Sequence, residues 1–117
     1  MSDLRSRPKG GVPELPLYPD VARQLFKDFT TCGVPMELPE ILEGQWEDRL
    51  ALLIQPIVAD LITRKRAVLM KIIYRVDIPE NHLGRSIEGL DHEEASVVIA
   101  RLIVTREKQK VESRRNL

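Results

Sequence analysis

The stretch LALLIQPIVADLITRKRAVLMKIIYRV, residues 50–76, decides the fold class of this chain. Its apolar residues Leu50, Leu53, Ile54, Ile57, Val58, Leu61, Ile62, Val68, Leu69, Ile72, Ile73 and Val76 recur at intervals of three and four. Side chains so spaced share one face of a helix, whereas a strand alternates every second residue. Pro56 interrupts the stretch. It has no N–H to donate and its ring crowds the preceding turn, at a cost of about 3 kcal/mol in a helix interior. The apolar phase nevertheless continues across it. The pattern predicts one helix over residues 46–76, opened by Trp46 and kinked at Pro56, with the Lys65 stem packed along the stripe.

Two further helices flank this one. Residues 19–31 begin with Pro19 and Asp20, which suit a first turn, and stop at Cys32-Gly33. Their apolar face is Val21, Ala22, Leu25, Phe26 and Phe29. Residues 91–112 open on the capping pattern Asp91-His92-Glu93-Glu94 and close on Arg106, Lys108 and Lys110, which match the helix dipole. Here Ala95, Val98, Ile99, Leu102 and Ile103 read as the core face. Short helical pieces fit Pro39–Glu43 and the residues up to Glu88, the latter capped by Asp77 with Glu80 reaching back and ended by Gly89. The expected fold is an all-α bundle of three main helices with short pieces. Residues 1–16, rich in Pro and Gly, are expected to form a flexible arm, and 17–117 one helical domain. The segment LMKIIYRVDIPE, residues 69–80, resembles small all-helical bacterial proteins with a Tyr-Arg-hydrophobic-Asp junction between helices. That resemblance implies a helix stop followed by a cap, with Tyr74 and Asp77 at the turn, and it implies no activity.

Lys plus Arg and Asp plus Glu number 18 each, so net charge names neither a polyanionic nor a polycationic partner. Cys32 is the one cysteine, so no intrachain disulfide forms and no oxidising compartment is required. The opening Met1-Ser2-Asp3-Leu4-Arg5 has no signal-peptide apolar run, and the uncharged stretch from Leu50 to Ala59 is too short to cross a bilayer. A cytoplasmic protein is expected.

No residue set has the spacing of a catalytic motif, so no catalytic residue and no cofactor is assigned, and the chain leans away from being an enzyme. His82 and His92, with Asp77, Glu80, Glu88, Asp91, Glu93 and Glu94 nearby, offer donors for a metal. Gly89 breaks the helix that would align them, however, and helix caps explain the same residues. Cys32 sits at a helix C-terminus, where the dipole disfavours a thiolate. Nucleic-acid binding draws on Arg101, Arg106, Lys108, Lys110, Arg114 and Arg115, and on the patch Arg64-Lys65-Arg66 with Lys71 and Arg75. Against it, a recognition helix would lead with Asp91, Glu93 and Glu94, turning carboxylates toward phosphates. The run Glu37, Glu40, Glu43, Glu47 and Asp48 reads as a solvated connection, or as a counterpart to one basic patch.

A non-enzymatic interaction protein that self-associates as a dimer fits best. Val97, Ala100 and Val104 lie off the expected core face of the last helix, as Met70 does on the central one. These four residues are the expected partner interface.

Overall fold

The computed structural model describes residues 16–37, 40 and 44–116. Its helices are α1 (Tyr18–Thr31), α2 (Trp46–Arg64), α3 (Arg66–Val76), α4 (Glu80–Ile87) and α5 (His92–Arg115), with no strand among the described residues. Of the expected arm only Pro16 falls within these bounds, and of the expected turn at 39–43 only Glu40 does; the rest lies outside the described residues.

Local chemistry accounts for most of the boundaries. In α1, Pro19 sits in the first turn and Asp20 beside the positive dipole end. Gly33, at φ +83°, takes the left-handed turn that stops the helix, and the N–H groups of Gly33 and Val34 donate to Thr30 and Phe29 carbonyls. Helix α5 opens on a complete capping box. The Asp91 carboxylate accepts from the Glu94 N–H at 2.8 Å, and Glu94 accepts from the Asp91 N–H at 3.1 Å. Asp77 does not cap α4, whose N-cap is Pro79. Instead it closes α3 at φ +73°, with its own N–H and that of Ile78 donating to Tyr74 and Ile73 carbonyls, in the place glycine usually holds. Arg106 holds it there, donating to its carbonyl and its carboxylate at 3.1 Å each.

The expected single helix over 46–76 is two helices, and the break is not at Pro56. Pro56 lies inside α2, and the chain leaves helical geometry at Lys65, with φ −145° and ψ 63°. The Lys65 N–H still donates to Leu61, and its carbonyl starts α3 by accepting from Val68 and Leu69. The Ile62 carbonyl, whose helical donor is lost at the break, accepts instead from the Arg66 side-chain Nε at 3.1 Å. The Lys65 stem therefore does not pack along a stripe; the residue is exposed.

The chain reverses at this point. Glu47 pairs with Lys108, Asp48 with Arg101 and Gln55 with Glu93, so α2 runs against α5. Arg66 meets His92 and Lys110 donates to the Arg75 carbonyl, so α3 runs with α5. Asp20 pairs with Arg115 and Gln24 with Arg114, so α1 also runs against α5. Helix α5 touches all four others, and α2 is its closest companion. Leu25, Phe29, Leu50, Ile54, Ile72 and Ile103 are fully buried between them. The buried face of α5 is Ala95, Ser96, Ile99, Ala100, Ile103, Val104, Glu107 and Val111, while Val98 and Leu102 are only half-buried.

Removing the capping carboxylate with Asp91→Ala should lower the free energy of unfolding by about 1 kcal/mol in urea denaturation. Stability equal to that of the wild type would show that α5 does not depend on the box.

Candidate functional site

Two places on α5 depart from an ordinary helical core, and each was invisible as a motif. The first is a pair of buried acids. Glu107 has no exposed surface and Asp28 of α1 has 1 %. Gln24 Nε2 and Arg75 Nε donate to Asp28 Oδ1 at 3.1 and 2.9 Å. The Lys110 ammonium lies 3.2 Å from Glu107 Oε1, without hydrogen-bond alignment, and 3.6 Å from Asp28 Oδ2, beyond hydrogen-bond distance. With both acids ionised, Asp28 Oδ2 and both Glu107 oxygens lack a hydrogen bond. A proton on Glu107 supplies the missing donor. Burial, reinforced by the hydrogen bond to Asp28 and by the Asp28 charge, pushes the Glu107 carboxyl up to about 8. Burial also pushes Asp28 upward, but the hydrogen bonds from Glu107 and Gln24, the Lys110 charge and Arg75 outweigh it and leave its carboxyl below the ordinary range. The pair thus carries one proton, and the remaining negative charge faces two cations. That arrangement ties α1 and α3 to α5.

The second place is a seam along the outer edge of α2 and α5. Arg101 NH1 donates to Asp48 Oδ1 at 2.8 Å, and Gln55 Nε2 donates to Glu93 Oε2 at 2.9 Å and to Ser96 Oγ at 2.8 Å. Leu52 lies one turn from Asp48 and from Gln55, and Val97 one turn from Glu93 and from Arg101. The two apolar residues therefore sit between the polar rungs, and both face solvent: Leu52 is 67 % exposed and Val97 43 %. Leu53, 38 % exposed, and Pro56 border them on α2.

The four residues of the expected interface do not form one patch. Val97 is on the seam. Ala100 and Val104, at 1 % and 2 % exposed, are part of the chain's own core and are withdrawn from the interface. Met70 is half-buried on α3, in a cleft beside α4. The buried face of α5 differs from the expected one because Ser96 and Glu107, both polar, lie on it. Their burial rotates the core stripe onto Ala100 and Val104. Leu52 was missed because it reads as one more leucine in an apolar run; its sixty-seven-percent exposure has no sequence signal beyond its place opposite Leu50 and Ile54.

The basic residues of α5 are largely engaged within the chain. Arg101, Arg106, Lys108 and Arg115 pair with Asp48, Asp77, Glu47 and Asp20, Arg114 donates to Gln24, and Lys108 also lies over the Trp46 ring. Two acids of the expected acidic run, Glu47 and Asp48, are thus counterparts to this helix within one chain. His92 Nε2 is 3.1 Å from Arg66 NH2, and His82 is exposed on α4. No three of the His, Cys, Asp and Glu side chains among the described residues gather as a metal site. Cys32 is a free thiol at the end of α1. No helix among the described residues is long and apolar enough to cross a membrane. No protein family, curated protein or solved structure matches this chain.

Because folding raises the Glu107 pKa from 4.5 to about 8, its contribution to stability is complete below pH 4.5 and is lost as pH rises through about 8. Asp28, depressed on folding, contributes above its ordinary value and loses that contribution as pH falls. In urea unfolding across this range the wild type should lose stability with rising pH, and Glu107→Gln, which keeps a donor for Asp28, should lose markedly less. Parallel pH profiles would contradict a buried, protonated Glu107.

Proposed function

We propose that this chain is a non-enzymatic interaction protein that self-associates, two copies meeting across the α2–α5 seam. The observation that carries the reading is the solvent exposure of Leu52 and Val97, each one helical turn from the polar rungs of the seam. A helical bundle gains by moving such residues away from water, and a fully buried leucine or valine contributes about 1.5–3 kcal/mol relative to an exposed one.

Charge supports a second copy as the partner. One end of the seam carries Arg101 paired with Asp48, and the other carries Glu93 with Gln55. A two-fold axis through the Leu52–Val97 pair lays each end over its opposite, so Arg101 of one copy approaches Glu93 of the other, and the reverse. Like charges do not meet. The α5 cations that would serve a nucleic acid are for the most part held by Asp20, Glu47, Asp48 and Asp77 of the same chain, which disfavours that alternative. The metal alternative finds His82 and His92 on different helices, with His92 engaged to Arg66.

Sedimentation equilibrium of the full chain should give twice the chain mass. Leu52→Glu, at an exposed position that the core does not need, should give a folded monomer. A wild-type monomer at high concentration would overturn self-association, and a dimeric Leu52→Glu would overturn its placement on the seam.

A further inference from the structure

Where α2 ends and α3 begins, α4 and the start of α5 close around a cleft of about 230 Å³. Its floor is apolar: Leu69 and Leu83 are buried, and Met70 and Ile87 line the walls half-buried. Its rim is different. Arg66 and His92, both exposed, are the two charged or titratable residues of the lining.

Arg66 is held in place but not neutralised. Its Nε donates to the Ile62 carbonyl at 3.1 Å, and NH2 lies 3.1 Å from His92 Nε2. No carboxylate among the described residues forms an ion pair with it, whereas Arg64, Arg75, Arg101, Arg106 and Arg115 each have one. A guanidinium carries five N–H donors, so most of its fork remains open. The break at Lys65 sets this geometry, because the carbonyl freed by the break is what anchors the Arg66 side chain beside the cleft.

We propose that this cleft binds a small amphiphilic carboxylate. The apolar body lies against Leu69, Met70, Leu83 and Ile87, and the carboxylate accepts from the Arg66 guanidinium, which also donates from NH2 to His92 Nε2 and is oriented by it. A planar monoanion matches the fork bidentately. A dianion is disfavoured, because a single fixed cation would leave it half neutralised and the capping carboxylates Asp91 and Glu94 adjoin His92. Size limits the body. An apolar cavity of about 150 Å³ takes one benzene ring, so this cleft admits a ring with a short tail or an alkyl chain of similar bulk. The site does not rest on self-association, since Leu52 and Val97 are not among its lining residues.

The test is a two-dimensional amide NMR titration of the full chain with sodium octanoate and sodium 4-phenylbutyrate, against 1-octanol and butyrate. The expected result is saturable shifts confined to residues 66–70, 83–90 and 92–99, with octanoate at least about tenfold tighter than octanol, the effect of one charged hydrogen-bonded pair. Arg66→Gln should weaken octanoate by about the same factor while leaving octanol unchanged, and Arg66→Lys should restore part of it. The same shifts should appear in Leu52→Glu, which separates this site from the dimer. The proposal is overturned by shifts that do not saturate, by shifts centred on Leu52 and Val97, or by equal affinity for octanoate and octanol in the wild type, a comparison that needs no variant to fold.

Discussion

The antiparallel pairing of α2 and α5 is the contact on which the rest of the molecule depends. Its inner surfaces are built from Ala51, Ile54 and Val58 on one side and Ser96, Ala100, Ile103 and Val104 on the other. Small side chains, Ala51 on α2 and Ser96 and Ala100 on α5, alternate with the larger Ile54 and Ile103 in this contact. Polar groups frame the contact rather than enter it, apart from Ser96, whose hydroxyl donates to the Glu93 carbonyl at 2.6 Å and accepts from Gln55. With that pairing in place, α1, α3 and α4 have a surface to dock on, and the reversal at Lys65 brings α3 back along it.

One end of α5 solves a harder problem. Glu107 lies on the buried stripe, where an ionised carboxylate without compensation is costly. The fold answers by keeping Glu107 protonated and setting its partner Asp28 against Arg75 and Lys110. Replacing such a group by an apolar residue need not weaken a fold, but removing one member leaves the others buried and unmatched. The same logic explains the surface. Many cations of α5 face acids of α1 and α2 or the Asp77 that closes α3, so what the α2–α5 edge leaves toward solvent is the apolar pair Leu52 and Val97.

Much of the fold was legible in the residues. Pro19 and Gly33 bracket α1, and Asp91 with Glu94 starts α5. These signals are local: a ring that fixes φ, a residue without Cβ, a carboxylate three residues from a free N–H. What was not legible depends on tertiary context. Pro56 looked like the weak point of the central segment, yet α2 passes through it, and Lys65, an ordinary helix former, breaks the chain because α3 must turn back along α5. Asp77 resembled an N-cap but serves as a left-handed helix stop, since Arg106 of α5 grips it. The interface residues were the least legible. Hydrophobicity marks Val97, Ala100 and Val104 alike, and only the burial of polar Ser96 and Glu107 tells which of them face inward.

The claim that two copies meet across the α2–α5 seam is tested most directly by cross-linking at its centre. In a Cys32→Ser background, which removes the one native thiol, Val97→Cys places a sulfur beside the proposed two-fold axis. Mild oxidation should convert it rapidly to a disulfide-linked dimer, while Glu88→Cys, exposed away from the seam, should stay largely monomeric. Cross-linking at Val97→Cys no faster than at Glu88→Cys would contradict the seam as the meeting surface.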